Sequence, residues 1–504
     1  MTIETDQLDL SRSVAAADSL GDRAPERHRF TTKRVLLTGE LEILETQNGK
    51  DCLLAAVRML SKMVRGVCIL LPEASPLETD VSRVLKSISF GAHPPVIVKD
   101  ADLKSFDAIL SVGSNVRPDL PSTTINSNGW TARVSSGPTP LSRDCTQPNP
   151  VGALAAASLG AAEVFKRLIK LIPERGELFD ALAFSLYSYD AKDEPGPPLP
   201  DSIPIDILLV GVGAIGNGVL FLLDALPISG RAVFVDNQSF GEENLGTCIL
   251  IGPKDIGSPK AQFAETLLSK KLICLGFPQD IVEFNAITVK KLPYPKIVLS
   301  ALDQIEPRHA VQSLWPNLVI DGAIGTFACE ATLHPWGEDL SCLFCDFERP
   351  PERSEELESK LTGLREERLG DITSLVTDED VRAAPIEKRA WLRTQIGKEI
   401  CSVVSEATVE KLSREAQQKG FEPSIPFVAC LSACIMITEL VRQTFQWPRV
   451  IETGFQFDAL MGPQYGIRKA HSRKPNCICV QRKRIIDALR TKHGLEPAGA
   501  TSTN

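Results

Sequence analysis

The stretch that decides the fold is Ile207-Leu-Leu-Val-Gly211-Val-Gly-Ala-Ile-Gly216, an apolar run that leads into three closely spaced glycines. We interpret residues 207–210 as a strand and the apolar residues from Asn217 to Leu226 as the helix that follows. Glycines in such a turn let backbone amides approach a phosphate at the amino end of the helix. The pattern predicts a nucleotide-binding α/β fold, and alone it is equally typical of an NAD- or FAD-dependent oxidoreductase.

Three polar residues downstream distinguish this chain from an ordinary dinucleotide-binding protein. A second strand, Ala232 to Val235, ends at Asp236, which is placed to accept hydrogen bonds from ribose hydroxyls. Asn244 follows eight residues later and Lys260 follows 24 residues later. NAD binding requires neither of them, whereas a lysine there would neutralise triphosphate charge during adenylyl transfer. Taken singly, each residue is also compatible with a cap, a turn or a solvated helix position.

At this spacing the residues resemble the E1-like family, which contains ubiquitin-activating enzymes and the ThiF and MoeB adenylyltransferases. The resemblance implies that ATP binds to Gly211, Gly213, Gly216, Asp236, Asn244 and Lys260. It also implies that Asp303, just after the strand Lys296 to Ser300, is a carboxylate linked to Mg²⁺ and facing the phosphates. Lys260 and Asp303 are therefore expected to assist the adenylation step.

The chain departs from the family pattern at one position. The family usually has an arginine three residues beyond the asparagine, and here that position is Thr247. A second family arginine reaches the phosphates from the partner adenylation domain. The candidates ahead of the first strand are Arg23, Arg27, Arg29 and Arg34, and the sequence does not choose among them.

The two halves of the chain share an order of motifs that predicts an internal duplication. Residues 106–114 parallel 296–303, and the small-residue helix 149–166 parallels 426–442. In the first copy, Glu40 follows the strand where the second copy has its glycine loop, and an acidic residue there repels phosphate. We therefore expect two tandem Rossmann-like, ThiF-type adenylation domains of the α/β class, with only the second active. Any two doubly wound domains share some of this order, which is the alternative.

The expected domain organisation follows from these motifs and from the charged segment between them. We expect a flexible N-terminus (1–29), an inactive adenylation-like domain (30–199), an active adenylation domain (200–345 and 424–485), a helical insertion that carries a catalytic cysteine (346–423) and a C-terminal tail (486–504).

The chain has 13 cysteines, and four of them form two close pairs. Cys342 and Cys345 are one pair, and Cys477 and Cys479 are the other, with one intervening residue instead of the usual two. Four thiolates can hold one Zn²⁺ ion in tetrahedral geometry, and the E1-like resemblance implies a structural zinc in these places. The alternative is free thiols in a core.

The resemblance also implies a thioester-forming cysteine in the insertion, where Cys401 is the one candidate. Lys398 nearby, and a position close to a helix start, would lower its pKa and favour the nucleophilic thiolate. A half-buried helical cysteine is the alternative interpretation. Cys145, at the equivalent crossover of the first copy, is the competing nucleophile.

Composition excludes several function classes. The net charge of −9 and the isoelectric point near 5.4 disfavour a nucleic-acid partner, because DNA and RNA binding depends on basic contacts to phosphates. The N-terminus lacks the apolar core of a signal peptide, and the apolar run 205–228 contains charged residues and glycines that favour a buried strand and helix over a membrane span. We therefore expect a cytoplasmic protein without a membrane partner.

Together these features predict an E1-like activating enzyme. As the resemblance implies, it would adenylate the C-terminal carboxylate of a ubiquitin-like protein with MgATP, form a thioester on Cys401 and transfer it to an E2-like conjugating enzyme. The alternatives are a ThiF- or MoeB-type enzyme for a sulfur-carrier protein, a noncatalytic scaffold that binds a ubiquitin-like protein, and an NAD-dependent oxidoreductase. A homodimer is possible, since the active halves could pair across a two-fold axis.

Overall fold

Two sheets with the same strand order form the framework of the protein. The computed structural model describes residues 10–73, 75–90, 94–347, 359–369, 374–400, 403 and 424–495. The first sheet has seven strands in the order β3-β2-β1-β4-β5-β6-β7, and the second has eight in the order β10-β9-β8-β11-β12-β13-β14-β15. The second order repeats the first and adds one edge strand. The predicted α/β class with two tandem Rossmann-like units is therefore confirmed.

The described residues of the first copy form five α-helices and seven strands. In chain order they are α1 (Ser11–Asp18), β1 (Arg34–Gly39), α2 (Leu41–Leu44), α3 (Gln47–Ser61), β2 (Gly66–Leu70), α4 (Glu78–Ile88), β3 (Val96–Val98), β4 (Ala108–Val112), β5 (Ser122–Asn128), β6 (Thr131–Ser135), α5 (Pro150–Ile169) and β7 (Leu182–Ser185). Strands β1 to β5 pair in parallel, and β6 and β7 are antiparallel to their neighbours.

The second copy repeats this plan and is interrupted after its fifth helix. It comprises β8 (Ile203–Val210), α6 (Ala214–Ala225), β9 (Ile228–Val235), α7 (Lys260–Leu268), β10 (Ile273–Phe277), α8 (Ile281–Glu283), β11 (Ile297–Ser300), α9 (Ile305–Gln312), β12 (Leu318–Ile324), β13 (Ala328–Pro335) and α10 (Leu343–Asp346). Parallel pairing of β8 with β9 and β11 brings their carboxyl ends to one edge of the sheet.

Residues Glu348–Glu422 form a separate unit. Its described helices are α11 (Glu366–Leu369), α12 (Asp378–Ala383) and α13 (Ile386–Arg393). Thr377 caps α12, and Arg368 pairs with Asp380 at 2.8 Å. A small core of its own includes Leu364, Val376, Val381, Leu392 and Ile400. Cys401 lies outside the described residues.

The chain then completes the second copy. The last elements are α14 (Pro426–Thr444), β14 (Gly454–Asp458), β15 (Ile467–Lys469), α15 (Ile478–Gln481) and α16 (Lys483–Lys492). Helix α14 is long and apolar enough to cross a membrane, yet 89% of it is buried inside the protein, so its hydropathy reflects a core position.

Helices α5 and α14 pack against each other and carry the same buried pair of charges. Glu163 pairs with Lys166 in α5, and Glu439 pairs with Arg442 in α14. Each cation also reaches the opposite copy: the Nζ of Lys166 donates to the Leu460 carbonyl at 3.1 Å, and a guanidinium N–H of Arg442 donates to the Tyr187 carbonyl.

These reciprocal contacts make the interface between the copies nearly symmetric. Lys166 of the first copy contacts Leu460 of the second, and Arg442 of the second contacts Tyr187 of the first. The same kind of exchange occurs at a two-fold dimer interface.

The described parts of both terminal segments, from residue 10 and up to residue 495, contain helices that the sequence did not predict. In the expected flexible N-terminus, helix α1 buries Ala16 and Ala17, and Leu20 and Ala24 beyond it are buried as well. In the expected tail, α16 buries Ile486 and extends to Lys492. The sequence was misleading because these short apolar sets are buried only against partners that are distant in the chain.

Candidate active site

The glycine loop lies between β8 and α6, at the carboxyl edge of the second sheet. Gly211 has a φ of +90°, and a Cβ there would meet the Ala301 carbonyl oxygen at 2.5 Å, so the loop passes directly over the end of β11. A Cβ at Gly216 would meet the Gly211 carbonyl oxygen at 2.2 Å. Around Gly213, by contrast, a Cβ would find no atom within 4 Å. The loop is therefore tight where it contacts protein and open at Gly213.

Asp236 ties the glycine loop to the end of β9. One carboxylate oxygen accepts the Val212 N–H at 2.7 Å, and the other accepts the Gln238 N–H at 2.8 Å. Each oxygen retains a further lone pair, and the residue is half-buried, so the carboxylate can accept ribose hydroxyls as well.

Lys260 belongs to the same hydrogen-bonded network. Its Nζ donates to the Gln238 side-chain carbonyl at 2.7 Å, and its backbone N–H donates to the Gln238 carbonyl at 2.9 Å. The lysine is only 5% exposed. Because its side-chain partner is a neutral amide, the ammonium keeps a full positive charge available to an anionic ligand.

Asn244 and Thr247 lie in the turn between these residues. Asn244 is buried, and its side-chain oxygen accepts the Gly241 N–H at 3.0 Å. Thr247, at the position of the absent arginine, is buried against the Asn244 carbonyl and the Cys248 sulfur. This position therefore contributes no charge.

Asp303 is exposed at the same edge, three residues beyond the end of β11. Its neighbour Ala301 contacts the glycine loop through the Ala301 N–H, which donates to the Val210 carbonyl at 2.9 Å. Arg308 pairs at 3.1 Å with the buried Asp321, which lies in register with Ser300, the last residue of β11. Burial raises the pKa of Asp321, and the charge of Arg308 opposes that rise.

A further arginine, Arg12, acts electrostatically on this part of the second copy. Burial raises the pKa of the Cys248 thiol, and the charge of Lys260, a hydrogen bond from Thr247 and the charges of Lys62 and Arg12 oppose the rise. Arg12 belongs to α1, in the segment expected to be mobile, so no sequence signal marked it.

The four arginines proposed from the sequence make contacts of other kinds. Arg23 and Arg27 donate to carbonyls of their own turn, and Arg34 lies over the Phe106 ring at 4.7 Å. Arg29 is exposed, and its charge acts on Glu26.

In the first copy, a protein carboxylate takes up the backbone amides at the equivalent edge. Glu40 accepts the Ser114 and Asn115 N–H groups at 3.0 and 2.7 Å, and the Ser114 hydroxyl at 3.1 Å. A Cβ at Gly113 would come within 2.4 Å of a Glu40 oxygen. The backbone N–H groups that follow β4 in the chain therefore already donate to a carboxylate of the protein itself.

Cys145, the competing nucleophile, is buried in the first copy. It is 4% exposed, and burial raises the pKa of its thiol, with the charge of Arg133 opposing the rise. Since the thiolate is the nucleophilic form, this environment is unsuited to covalent catalysis.

The four paired cysteines converge on one point. Their sulfur atoms all lie within 4.8 Å of one another, and the contacts Cys342–Cys345, Cys342–Cys477 and Cys345–Cys479 are each 3.7 Å. Four sulfurs at about 2.3 Å from a tetrahedral zinc stand about 3.8 Å apart. The cluster therefore fits a zinc ion, and the single residue between Cys477 and Cys479 does not prevent the geometry.

Both copies match known sequence families. Residues 34–177 match the BilD N-terminal domain, and residues 203–332 match the BilD C-terminal domain. Over 120 residues the chain is 30% identical to the NEDD8-activating enzyme E1 catalytic subunit of Saccharomyces cerevisiae, covering 23% of this chain and 38% of that protein. The chain therefore carries both BilD domains, and part of it is similar to an E1 catalytic subunit.

Other relatives of this chain cover more of its length. The uncharacterized protein y4jF of Sinorhizobium fredii (strain NGR234) is 28% identical over 480 residues, 88% of each chain. Among solved structures, Escherichia coli MccB with MccA-N7isoASN shares 13% identity over 55% of this chain and 66% of that chain, with a TM-score of 0.35. MccB with ATP shares 12% identity over 67% and 75%, with a TM-score of 0.35.

Proposed function

We propose that the protein is an activating enzyme for a ubiquitin-like protein, with ATP bound at the carboxyl edge of the second sheet. The observation that carries this proposal is the continuous network from Val212 through Asp236 and Gln238 to Lys260. It presents a ribose acceptor and a buried cation beside an open glycine loop, which is the charge pattern that a nucleoside triphosphate requires.

Each of these residues has a separate role in the proposed adenylation reaction. Gly211, Gly213 and Gly216 let the loop amides approach the phosphates, and Asp236 holds the ribose. Asn244 and Lys260 face the phosphates, with Lys260 stabilising the charge that develops on them. Asp303 would hold Mg²⁺, which neutralises phosphate charge when bound.

The proposed reaction has two nucleophilic displacements. A C-terminal carboxylate oxygen of the ubiquitin-like protein attacks the α-phosphorus, and the bond to pyrophosphate breaks. The Cys401 thiolate then attacks the acyl carbon, a thioester forms, and AMP leaves. The acyl group finally passes to the thiol of an E2-like partner. Positioning and charge stabilisation drive the first step, because it needs no protein nucleophile.

We further propose that Zn²⁺ binds Cys342, Cys345, Cys477 and Cys479 in a structural role. Four protein ligands close the coordination shell, which leaves no open position for a substrate or water. The ion would fasten α15 and α16 to α10 and take no part in the reaction.

Intact-mass analysis under nonreducing conditions tests the thioester. The protein is incubated with ATP, Mg²⁺ and a ubiquitin-like protein encoded beside it, and wild type is compared with the Cys401→Ala and Cys145→Ala variants. We expect a thiol-sensitive adduct in wild type and Cys145→Ala that is absent from Cys401→Ala.

Other outcomes select other functions. An adduct that persists in Cys401→Ala moves the nucleophile elsewhere. Pyrophosphate exchange without an adduct supports the ThiF-type alternative, and the absence of exchange supports a scaffold.

A further inference from the structure

Residues 249–252, which we name the bridging segment, connect the two halves of the candidate nucleotide site. The segment begins five residues after Asn244 and ends eight residues before Lys260. Ile249 and Ile251 are buried, at 1% and 0% exposure. The segment is therefore a fixed part of the backbone between the two residues proposed to contact phosphate.

The first copy holds the bridging segment through two cations of α3 and its C-cap. The Nζ of Lys62 donates to the Ile251 carbonyl at 2.6 Å, and a guanidinium N–H of Arg58 donates to the Ile249 carbonyl at 3.4 Å. Lys62 is completely buried. Buried carbonyl groups need donors, and these two receive them from the opposite copy.

The same segment is fixed from two further directions. The Leu250 N–H donates to the Asn217 side-chain oxygen at 2.8 Å, which ties the segment to the first turn of α6. A Cβ at Gly252 would approach the Ser87 carbonyl oxygen to 1.9 Å, so the backbones of the two copies meet there without room for a side chain. The segment is thus clamped between α6 of the second copy and the α3–α4 side of the first.

The charge of Lys62 also acts on Cys248, the residue next to Thr247, as does the charge of Lys260. A buried cation costs desolvation energy, and the hydrogen bond to the Ile251 carbonyl offsets part of that cost. Lys62 is therefore placed to hold the backbone of the bridging segment.

We propose that Lys62 and Arg58 are positioning residues for the nucleotide site, through which the first copy holds the bridging segment so that Asn244 and Lys260 face a bound triphosphate. This inference rests on the proposed function for the identity of the ligand. It assigns the first copy an indirect part in ATP binding, through the backbone of the second copy.

The test compares MgATP binding by calorimetry and the ATP dependence of pyrophosphate exchange in the full chain. Lys62→Met removes the ammonium, Lys62→Arg restores a buried cation, and Lys86→Met alters an exposed lysine of α4 as the control. We expect Lys62→Met to raise the Kd and the KM for ATP about tenfold or more and to lower kcat, since displaced Asn244 and Lys260 bind the phosphates less well and Lys260 also stabilises the charge that develops on them. Lys62→Arg should recover most of the affinity, and Lys86→Met should match wild type.

A Lys62→Met protein that folds and binds ATP as wild type does would overturn the proposal, as would a loss of activity explained entirely by the unfolded fraction. If Lys62→Met does not fold, Arg58→Met replaces it, because Arg58 is only half-buried. If wild type binds ATP but catalyses no pyrophosphate exchange, the proposed function is wrong. The comparison of Kd values then still tests whether Lys62 holds the bridging segment for ATP binding. If wild type does not bind ATP, the proposed function is also wrong. Faster amide hydrogen exchange at residues 249–252 in Lys62→Met than in wild type would then show that Lys62 holds the bridging segment, and equal exchange would show that it does not.

Discussion

Gly211 and Gly213 are two residues apart and are glycine for different physical reasons. Gly211 has a left-handed φ of +90° and no room for a Cβ beside Ala301. Gly213 has a φ of −71° and open space around it. The fold therefore requires the first glycine, whereas only a ligand would require the second.

We predict that alanine separates these two roles. Gly211→Ala should lower the free energy of unfolding by about 1–3 kcal/mol because of backbone strain. Gly213→Ala should change it by less than about 0.5 kcal/mol and still weaken ATP binding, because the methyl group enters the space proposed for phosphate. Urea unfolding and ATP calorimetry measure the two effects. Wild-type ATP affinity in Gly213→Ala would show that the loop does not contact phosphate.

At this scale the sequence identified some site residues and missed others. Asp236 and Lys260 follow recognisable strand and turn signals, and the structure joins them through Gln238. Arg12 and Lys62 carried no signal, because their position near Cys248 depends on how the first copy packs on the second. Local patterns encode local geometry only.

At the scale of elements, the cysteine cluster anchors the last two helices. It joins α10 to α15, which is followed after one residue by α16. Arg490 of α16 adds a second attachment, because its guanidinium donates to the Trp315 and Pro316 carbonyls. The two attachments act on the same side of the second sheet, at the amino end of β12.

We predict one zinc ion per chain and its loss when a ligand is removed. Cys345→Ser should abolish stoichiometric zinc and expose α15 and α16 to trypsin, because the metal supplies folding energy at this site. Elemental analysis and limited proteolysis are the measurements, and Cys274→Ser, which alters a half-buried cysteine outside the cluster, is the matched control. Equal zinc content in the two variants would contradict the assignment.

Element boundaries were predicted where periodicity was strong and mispredicted at the chain ends. The small-residue helices α5 and α14 were apparent because nearly every position is apolar and buried. Helices α1 and α16 carry few apolar residues each, and their burial depends on distant neighbours. Their sequences were therefore indistinguishable from solvated termini.

At the scale of the whole molecule, the reciprocal pairs Glu163–Lys166 and Glu439–Arg442 hold the copies together. Burial raises the pKa of Glu439, with the charge of Arg442 opposing the rise. Removal of either cation would leave a buried carboxylate without the ion pair that it makes within its own helix.

We predict that Arg442→Met lowers the free energy of unfolding by about 3–5 kcal/mol, the cost of breaking a buried ion pair. Lys166→Met should act similarly, whereas Lys192→Met, at an exposed pair, should have little effect. Chemical unfolding followed by tryptophan fluorescence and by circular dichroism measures this. Coincident transitions are expected because both copies share the interface, and separate transitions would show independent copies.

The sequence predicted the duplication, but it did not predict which contacts the first copy makes to the second. Repeated motif order revealed two copies, and Glu40 marked the first as altered. The sequence could not show that α3 of that copy donates to backbone carbonyls of the other, because such contacts depend on geometry and leave no motif.

The carboxylate of Glu40 also has a kinetic consequence. Two equal sites related by symmetry could communicate, so that occupancy of one would alter the affinity of the other. Since Glu40 accepts the equivalent amide donors of the first copy, we expect the chain to bind nucleotide in its second copy alone. Its ATP saturation curve would then be a simple hyperbola with a Hill coefficient of about one, and each chain would activate one acyl group at a time.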